Sequence, residues 1–136
     1  MKHLKSSGFR RRIMLLNTEK SFLAQGTEWY AHKGEYLFRK WQPAEYVFYL
    51  KDGSVDILDD ETQTLQHVQG CRCFLGLHEA LLDAHHQASV KVRDESILLV
   101  FEKQQIDEFL QKNELARRYF MLKICDQMAL LKKNFE

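Results

Sequence analysis

Residues Gly70 to Val90 read GCRCFLGLHEALLDAHHQASV, the most informative stretch of the chain. Two apolar residues precede Gly76, and the pattern after it predicts a short helical turn from Glu79 to Leu82. A polar loop follows from Asp83 to Gln87, and a strand is predicted to begin at Ala88-Ser89-Val90. A strand-to-helix turn of this kind directs several backbone N–H groups at one point, which suits a phosphate.

The order of these residues resembles the phosphate-binding cassette of the cyclic nucleotide-binding domain family, to which the catabolite activator protein and the regulatory subunit of protein kinase A belong. The family's cassette looks like F-G-E-L-A-L-L, then a few loop residues, then P-R-x-A-T-V. Gly76 matches the cassette glycine and Val90 the closing valine. Ala88 and Ser89 match the alanine and the hydroxyl residue before that valine.

Two cassette positions differ from the family. The resemblance places Leu77 at the ribose-binding glutamate and His86 at the phosphate-binding arginine, with His85 in place of the proline. Arginine donates two parallel bonds to a phosphate, whereas histidine offers one donor and is mostly neutral near pH 7. Glu79 lies two residues beyond the ribose position, and we expect it to point elsewhere.

These two exchanges are expected to reduce the binding free energy of a cyclic nucleotide. Losing one partner of a buried charged pair costs roughly 2–5 kcal/mol, and a ribose hydroxyl left unpaired costs roughly another 1–3 kcal/mol. We therefore expect weak or altered binding of a small anionic ligand such as a cyclic nucleotide. The cassette positions concerned are Gly76, Leu77, His86, Gln87, Ala88 and Ser89.

Other segments resemble the family in the same order. Lys33 to Phe38 looks like its "x-G-E-x-I-F", and Ala44 to Ile57 looks like its "A-x-x-x-Y-x-I-x-x-G-x-V-x-V". Ile97 to Phe101 resembles the last strand of the roll, and Phe109-Leu110 the "F-x-x-L-L" helix after it. Trp41 replaces a glycine that is usual in the turn after the second strand, so we expect that turn to be built differently.

The resemblance and the run of short strands between helical ends predict a mainly β fold, the double-stranded β-helix (jelly roll or β-roll) with flanking helices. One domain is expected over 1–136, with a helical segment over 1–28, the roll over 29–102 and C-terminal helices over 103–136. A helix is predicted over 9–24. Asp52-Gly53 predicts a hairpin turn, and Asp59-Asp60-Glu61 another reversal.

Composition limits the possible functions. The chain has 136 residues, 45% of them apolar, and a net charge of +1. The apolar content is enough for one hydrophobic core. The small net charge gives no overall electrostatic field that would attract nucleic acid or a membrane. The arginines at 10–12 are read as part of a solvated terminus, and the apolar run from Ile13 to Leu16 is too short to span a membrane. Three cysteines favour a reducing, cytoplasmic location over a disulfide framework, with Cys71 and Cys73 as small apolar filling or, less commonly, a redox pair.

Three interpretations of the loop histidines remain open: solvated side chains at His85 and His86, a ligand contact by His86, or a metal site. The metal site would draw on His67, Cys71, Cys73, His78, His85 and His86. Cys-x-Cys is closer than the usual spacing of structural zinc ligands. We therefore expect no metal and no cofactor. No nucleophile or phosphate-loop motif is present either, and we expect a protein that is not an enzyme.

The C-terminal helix carries an apolar stripe with alternating spacings of three and four, typical of a helix seam. Its members are Met121, Ile124, Met128, Leu131 and Phe135. A second edge consists of Leu115, Tyr119, Leu122 and Ala129. One edge can pack on the roll while the other forms a homodimer or binds a partner protein. The alternative is a cap helix that buries both edges on its own domain.

The sequence leaves two functions open. The first is a regulatory sensor domain that binds a small anionic ligand through a modified cassette. The second is a ligand-free, degenerate roll that acts as a protein-interaction or dimerisation module. The chain ends at Glu136, so no DNA-binding winged helix is expected. The near-neutral net charge likewise predicts no membrane partner.

Overall fold

A computed structural model describes residues 17–59, 64–69, 72–112 and 114–135, without the side chains of residue 64 and of 125–135. Part of the helix predicted over 9–24 is seen as helix α1, described over 17–23. The first half of that prediction and the N-terminal basic residues lie outside the described residues.

Within the described residues, six strands and three further helices follow α1. Their bounds are β1 Thr27–Ala31, β2 Tyr36–Phe38, β3 Tyr46–Asp59, β4 Thr64–Gln69, β5 Phe74–Leu75, α2 Leu77–Leu81, β6 Ser89–Glu102, α3 Lys103–Lys112 and α4 Glu114–Phe135. All strand pairs are antiparallel, with sheet order β1-β6-β3-β4, while β2 pairs with β6 and β5 with β3. The predicted mainly β roll with flanking helices is confirmed.

Strand alternation divides the core into two layers. Val47 and Tyr49 point towards the helices, whereas Phe48 and Leu50 point into the roll. Successive side chains of a strand face opposite sides of a sheet, so a strand buried on both faces reads as an unbroken apolar run. Val90 and Val92 of β6 are buried and alternate with more exposed residues, and both valines line the roll interior.

The helix-side layer is largely aromatic. Phe22 of α1 is fully buried, and its ring stacks on Phe101 with centroids 4.3 Å apart. Phe109 of α3 and Phe120 of α4 meet the same ring with centroids at 5.0 and 4.9 Å. This cluster fixes the three helices to one side of the sheet.

The hairpin predicted at Asp52-Gly53 is wrong. Gly53 lies inside the continuous strand β3, where the pairing with β6 shifts register around it. Its φ of +109° is the positive value that the prediction required, but it serves a bulge instead of a turn. Ser54 closes the bulge, because its backbone N–H donates to Ser96 Oγ at 3.1 Å and its hydroxyl to Asp94 Oδ2 at 2.6 Å.

The reversal predicted at Asp59-Asp60-Glu61 is consistent with the antiparallel pairing of β3 with β4, in which Asp59 faces Thr64. The residues between these two lie outside the described part of the chain. The lone proline, Pro43, forms an isolated antiparallel bridge with His85, which ties the β2–β3 connection to the cassette loop.

Candidate functional site

Gly76 links β5 to α2. Its φ of +83° is left-handed, and it stands at the N-terminal cap of the helix. The helix begins at Leu77, two residues before the predicted start, because the glycine turns the chain sharply at the end of β5. A Cβ atom at this position would lie 2.9 Å from His86 Cε1 and 3.2 Å from Phe38 Cε1. Glycine therefore permits both the turn and the close approach of His86.

His86 is buried over Gly76. The side chain is only 2% exposed, and its ring stacks on Phe38 with centroids 3.6 Å apart and planes 12° apart. Its backbone N–H donates to the Gln42 carbonyl, and its own carbonyl accepts from the Trp41 N–H, both at 2.9 Å. The interpretation of His86 as a solvated loop residue is wrong, whereas His85 is exposed.

Leu77, which matches the ribose-binding glutamate, points away from this loop. It is 1% exposed and belongs to the helix-side core with Ala80 and Tyr119. The side chain therefore anchors α2 to the C-terminal helices. An apolar side chain in this place offers no hydrogen-bond acceptor to a ribose.

Glu79 was expected to point elsewhere, and this expectation is wrong. Its Oε1 lies 3.4 Å from the backbone nitrogen of Gln87, which donates to it, and 3.6 Å from Nδ1 of His86. The second distance is within ion-pair range but too long for a hydrogen bond. Nδ1 has no hydrogen-bond partner among the described residues. The carboxylate therefore faces the cassette loop.

The surroundings of Glu79 change its acidity. Burial raises the pKa of the carboxyl, but His86 and the backbone N–H groups of Glu79 and Gln87 lower it by more. The net result is a pKa below its ordinary value of 4.5. The site therefore holds Glu79 in its charged form.

This lowered pKa predicts an acid-dependent stability. A carboxyl with a lower pKa in the folded state stabilises the fold above its unfolded pKa, and this contribution is lost as pH falls through the folded pKa. We expect wild type to exceed Glu79→Gln in free energy of unfolding at pH 7, with the gap closing from about pH 5 downwards. Urea denaturation of both proteins at a series of pH values measures this difference in free energy of unfolding.

Glu108→Gln, on the exposed face of α3, provides the control for the loss of one carboxylate. A Glu79→Gln gap that stays constant between neutral and acid pH would contradict the lowered pKa of Glu79.

The remaining cassette residues are not gathered on one point. The Ser89 hydroxyl accepts the backbone N–H of Lys40 at 2.9 Å, on the side of β2. The Gln87 side chain donates to the His85 carbonyl at 3.3 Å. Ala88 is half-buried. The structure thus brings Gly76, His86 and Gln87 together, while Leu77 and Ser89 are engaged elsewhere.

Trp41 has a positive φ, although it is not a glycine. Its φ is +76°, in the left-handed region that favours glycine. A bulky residue in this region is strained by roughly 1–3 kcal/mol, and such strain persists only where surrounding contacts impose it. Here the bond from the Trp41 N–H to the His86 carbonyl fixes the turn against the cassette loop.

A cavity of about 260 Å³ opens beside the stacked pair of His86 and Phe38. It is lined by Leu37, Phe38, Gln42, Pro43, Glu45, Tyr46, Phe48 and His86. Pockets for drug-sized ligands are usually about 300–1,000 Å³, so this cavity is small for a ligand site.

Within the described residues, no group of three histidine, cysteine or acidic side chains is placed to hold a metal ion. Cys73 is half-buried and packs against the core of the roll interior, as expected for small apolar filling, and it is also disulfide-bonded, which was not expected.

The first half of α4 has one buried and one open side. Tyr119 and Phe120 are buried, and Ile124 packs partly against the same core. Met121 is 66% exposed and Leu122 50% exposed. Three members of the predicted stripe, Met128, Leu131 and Phe135, have side chains outside the described part.

Comparison with known proteins agrees with this geometry. The chain matches the family model "Cyclic nucleotide-binding domain" over residues 28–113. No curated protein sequence matches it. Among the described residues, no helix has both the length and the apolarity that crossing a membrane requires.

Several solved structures share the fold. One is the c-di-GMP responsive global regulator CLP of Xanthomonas campestris, with 18% identity, a TM-score of 0.71 and 84% of this chain covered. The chain spans 57% of that regulator's length. The catabolite activator protein of Thermus thermophilus gives 11% identity, a TM-score of 0.70, and 88% and 57% coverage of this chain and of that one.

The sensor domain of the transcriptional regulator DNR from Pseudomonas aeruginosa gives 21% identity and a TM-score of 0.66. The match covers 81% of this chain and 80% of that domain. At these identities the structures show a shared fold, and the family model adds a match in sequence. The chain belongs to the cyclic nucleotide-binding domain family.

Proposed function

We propose that this domain is a non-enzymatic regulatory sensor whose binding of cyclic nucleotides is weak or altered. The observation that carries the proposal is the burial of His86 over Gly76, where the family pattern has a phosphate-binding arginine. One imidazole stacked on Phe38 replaces a forked, permanently charged donor. The similarity to regulators supports a signalling role over catalysis.

The contacts of α2 suggest how binding would be transmitted. Leu77 and Ala80 share a core cluster with Ile106 of α3 and Phe120 of α4. In addition, the Lys103 side chain forms an ion pair with Asp83, just after α2. Because packed cores resist continuous deformation, a shift of α2 on ligand binding would move the C-terminal helices.

A thermal-shift screen with cyclic mononucleotides and cyclic dinucleotides tests the sensor role. A ligand that binds only the folded state stabilises it by about 2.7 kcal/mol at 100 times its Kd. We expect shifts only at millimolar concentrations of cyclic AMP or cyclic GMP. A large shift at micromolar concentration would contradict weak binding, and no shift with any of these ligands would contradict a nucleotide sensor.

A second function, a dimerisation or interaction module, is favoured by one observation. Met121 and Leu122 expose apolar side chains next to each other on α4, whereas Tyr119 and Phe120 are buried. Methionine suits an adaptable interface because its side chain is flexible and polarizable. The seam proposed from the sequence, Met121, Ile124, Met128, Leu131 and Phe135, would include this exposed methionine.

This second function predicts that the protein is a dimer and that one charged residue introduced into the seam dissociates it. We expect the wild type to sediment as a dimer and Met121→Glu as a monomer, with a change in free energy of unfolding of the monomer below about 0.5 kcal/mol. Sedimentation velocity over a concentration series measures the state. Gln111→Glu, at an exposed position of α3, is the matched control and should leave the dimer intact. A wild type that stays monomeric at every concentration would exclude the seam.

A further inference from the structure

We propose that Glu79 determines which ligand charge the cassette accepts: its carboxylate occupies the place of the ligand's anion and disfavours a phosphodiester. This inference rests on the proposed function, since it concerns the same cassette. It adds a specificity-determining residue that the family pattern does not mark, because the ribose position is two residues earlier, at Leu77.

The geometry of the carboxylate carries the proposal. Glu79 Oε1 faces two groups, the Gln87 N–H at 3.4 Å and the imidazole of His86 at 3.6 Å. A backbone N–H of the loop and the side chain at the arginine position are the donors that a phosphate would need there. The glutamate side chain is 18% exposed, so this negative charge is only partly screened by water.

One other donor of the loop is already engaged, because the His86 backbone N–H donates to the Gln42 carbonyl at 2.9 Å. The Ser89 hydroxyl accepts from the Lys40 N–H, which holds this side chain on the side of β2. A phosphodiester placed over the loop would therefore meet a carboxylate within a few ångströms. At an effective dielectric constant of about 20, two like charges about 4 Å apart repel strongly enough to weaken binding by far more than about tenfold. A neutral or cationic ligand pays no such penalty.

Calorimetric titration of the full chain with cyclic GMP and cyclic AMP tests this proposal. The variants are Glu79→Gln, which removes the charge at similar size, and Glu79→Asp, which keeps the charge on a shorter side chain. We expect Glu79→Gln to bind at least about tenfold more tightly than wild type, and Glu79→Asp to stay within about threefold of it. Glu108→Gln carries the same change in net charge on the exposed face of α3 and should match wild type.

A second readout needs no nucleotide. The backbone amide of Gln87 should shift in the NMR spectrum as the Glu79 carboxyl titrates in acid, and this step should disappear in Glu79→Gln. A Gln87 amide without that step would overturn the assigned contact and, with it, the proposal.

The outcomes distinguish a failure of the role given to Glu79 from a failure of the proposed sensor function. Equal nucleotide binding by wild type and Glu79→Gln would overturn the role of Glu79 while leaving the sensor function intact. An equal gain in nucleotide affinity in Glu108→Gln would mean that net charge alone causes the effect, which would also overturn the role of Glu79. The absence of binding in every variant, Glu79→Gln combined with His86→Arg included, would overturn the proposed sensor function itself.

Discussion

Gly53→Ala is expected to destabilise the domain by about 3–5 kcal/mol, because both the backbone and the space at this position exclude a side chain. The residue has a φ of +109° inside β3. A Cβ atom would lie 2.2 Å from Ser96 Oγ and 2.7 Å from Ser96 Cα. The second of these atoms is backbone, so the clash is relieved only if strand β6 moves and the bonds of Ser54 to Ser96 and Asp94 are lost.

Gly34→Ala is the matched control for backbone strain alone. Gly34 also has a positive φ, +93°, but a Cβ atom there would have no described neighbour within 4 Å. We expect a loss of about 1–2 kcal/mol. Urea denaturation of both variants gives the comparison, and equal losses would mean that the contact with Ser96 does not hold the bulge.

Leu77→Glu is the second substitution with a large expected effect. Restoring the family's glutamate should cost about 3–5 kcal/mol of unfolding free energy, because the site is 1% exposed and lies among apolar side chains. The substitution would place a carboxyl in the core shared with α3 and α4. We therefore expect loss of stability in place of a gain in nucleotide affinity.

Leu77→Met separates size from polarity, since it keeps the volume and should cost less than about 1.5 kcal/mol. Chemical denaturation and a cyclic nucleotide titration on the same samples check both parts. A Leu77→Glu protein as stable as wild type, with tight nucleotide binding, would show that this side chain is able to face the ligand.

The β-roll could be predicted from the sequence because the patterns that indicate it are local. The alternation of Val90 and Val92, the apolar run at 47–50 and the cassette glycine at 76 each follow from strand period or backbone freedom. The strand–helix–strand order of the cassette was also predictable from the spacing of Gly76 and Val90.

What the sequence did not predict depends on contacts across irregular loops. Glu79 and His86 are separated by a loop that turns back on α2, and no periodicity relates two positions across such a loop. Gly53 gives the same signal in a bulge as in a hairpin, because both need a positive φ. Trp41 adopts a left-handed conformation that its residue type disfavours, imposed through its bond to the His86 carbonyl.

Calorimetric titration of the unmodified protein with cyclic AMP and cyclic GMP at neutral pH tests the central claim most directly. A cassette that holds His86 over Gly76 and faces its own carboxylate should bind these nucleotides weakly, with a Kd above roughly 100 μM. A sub-micromolar Kd for either nucleotide would contradict this account of the cassette.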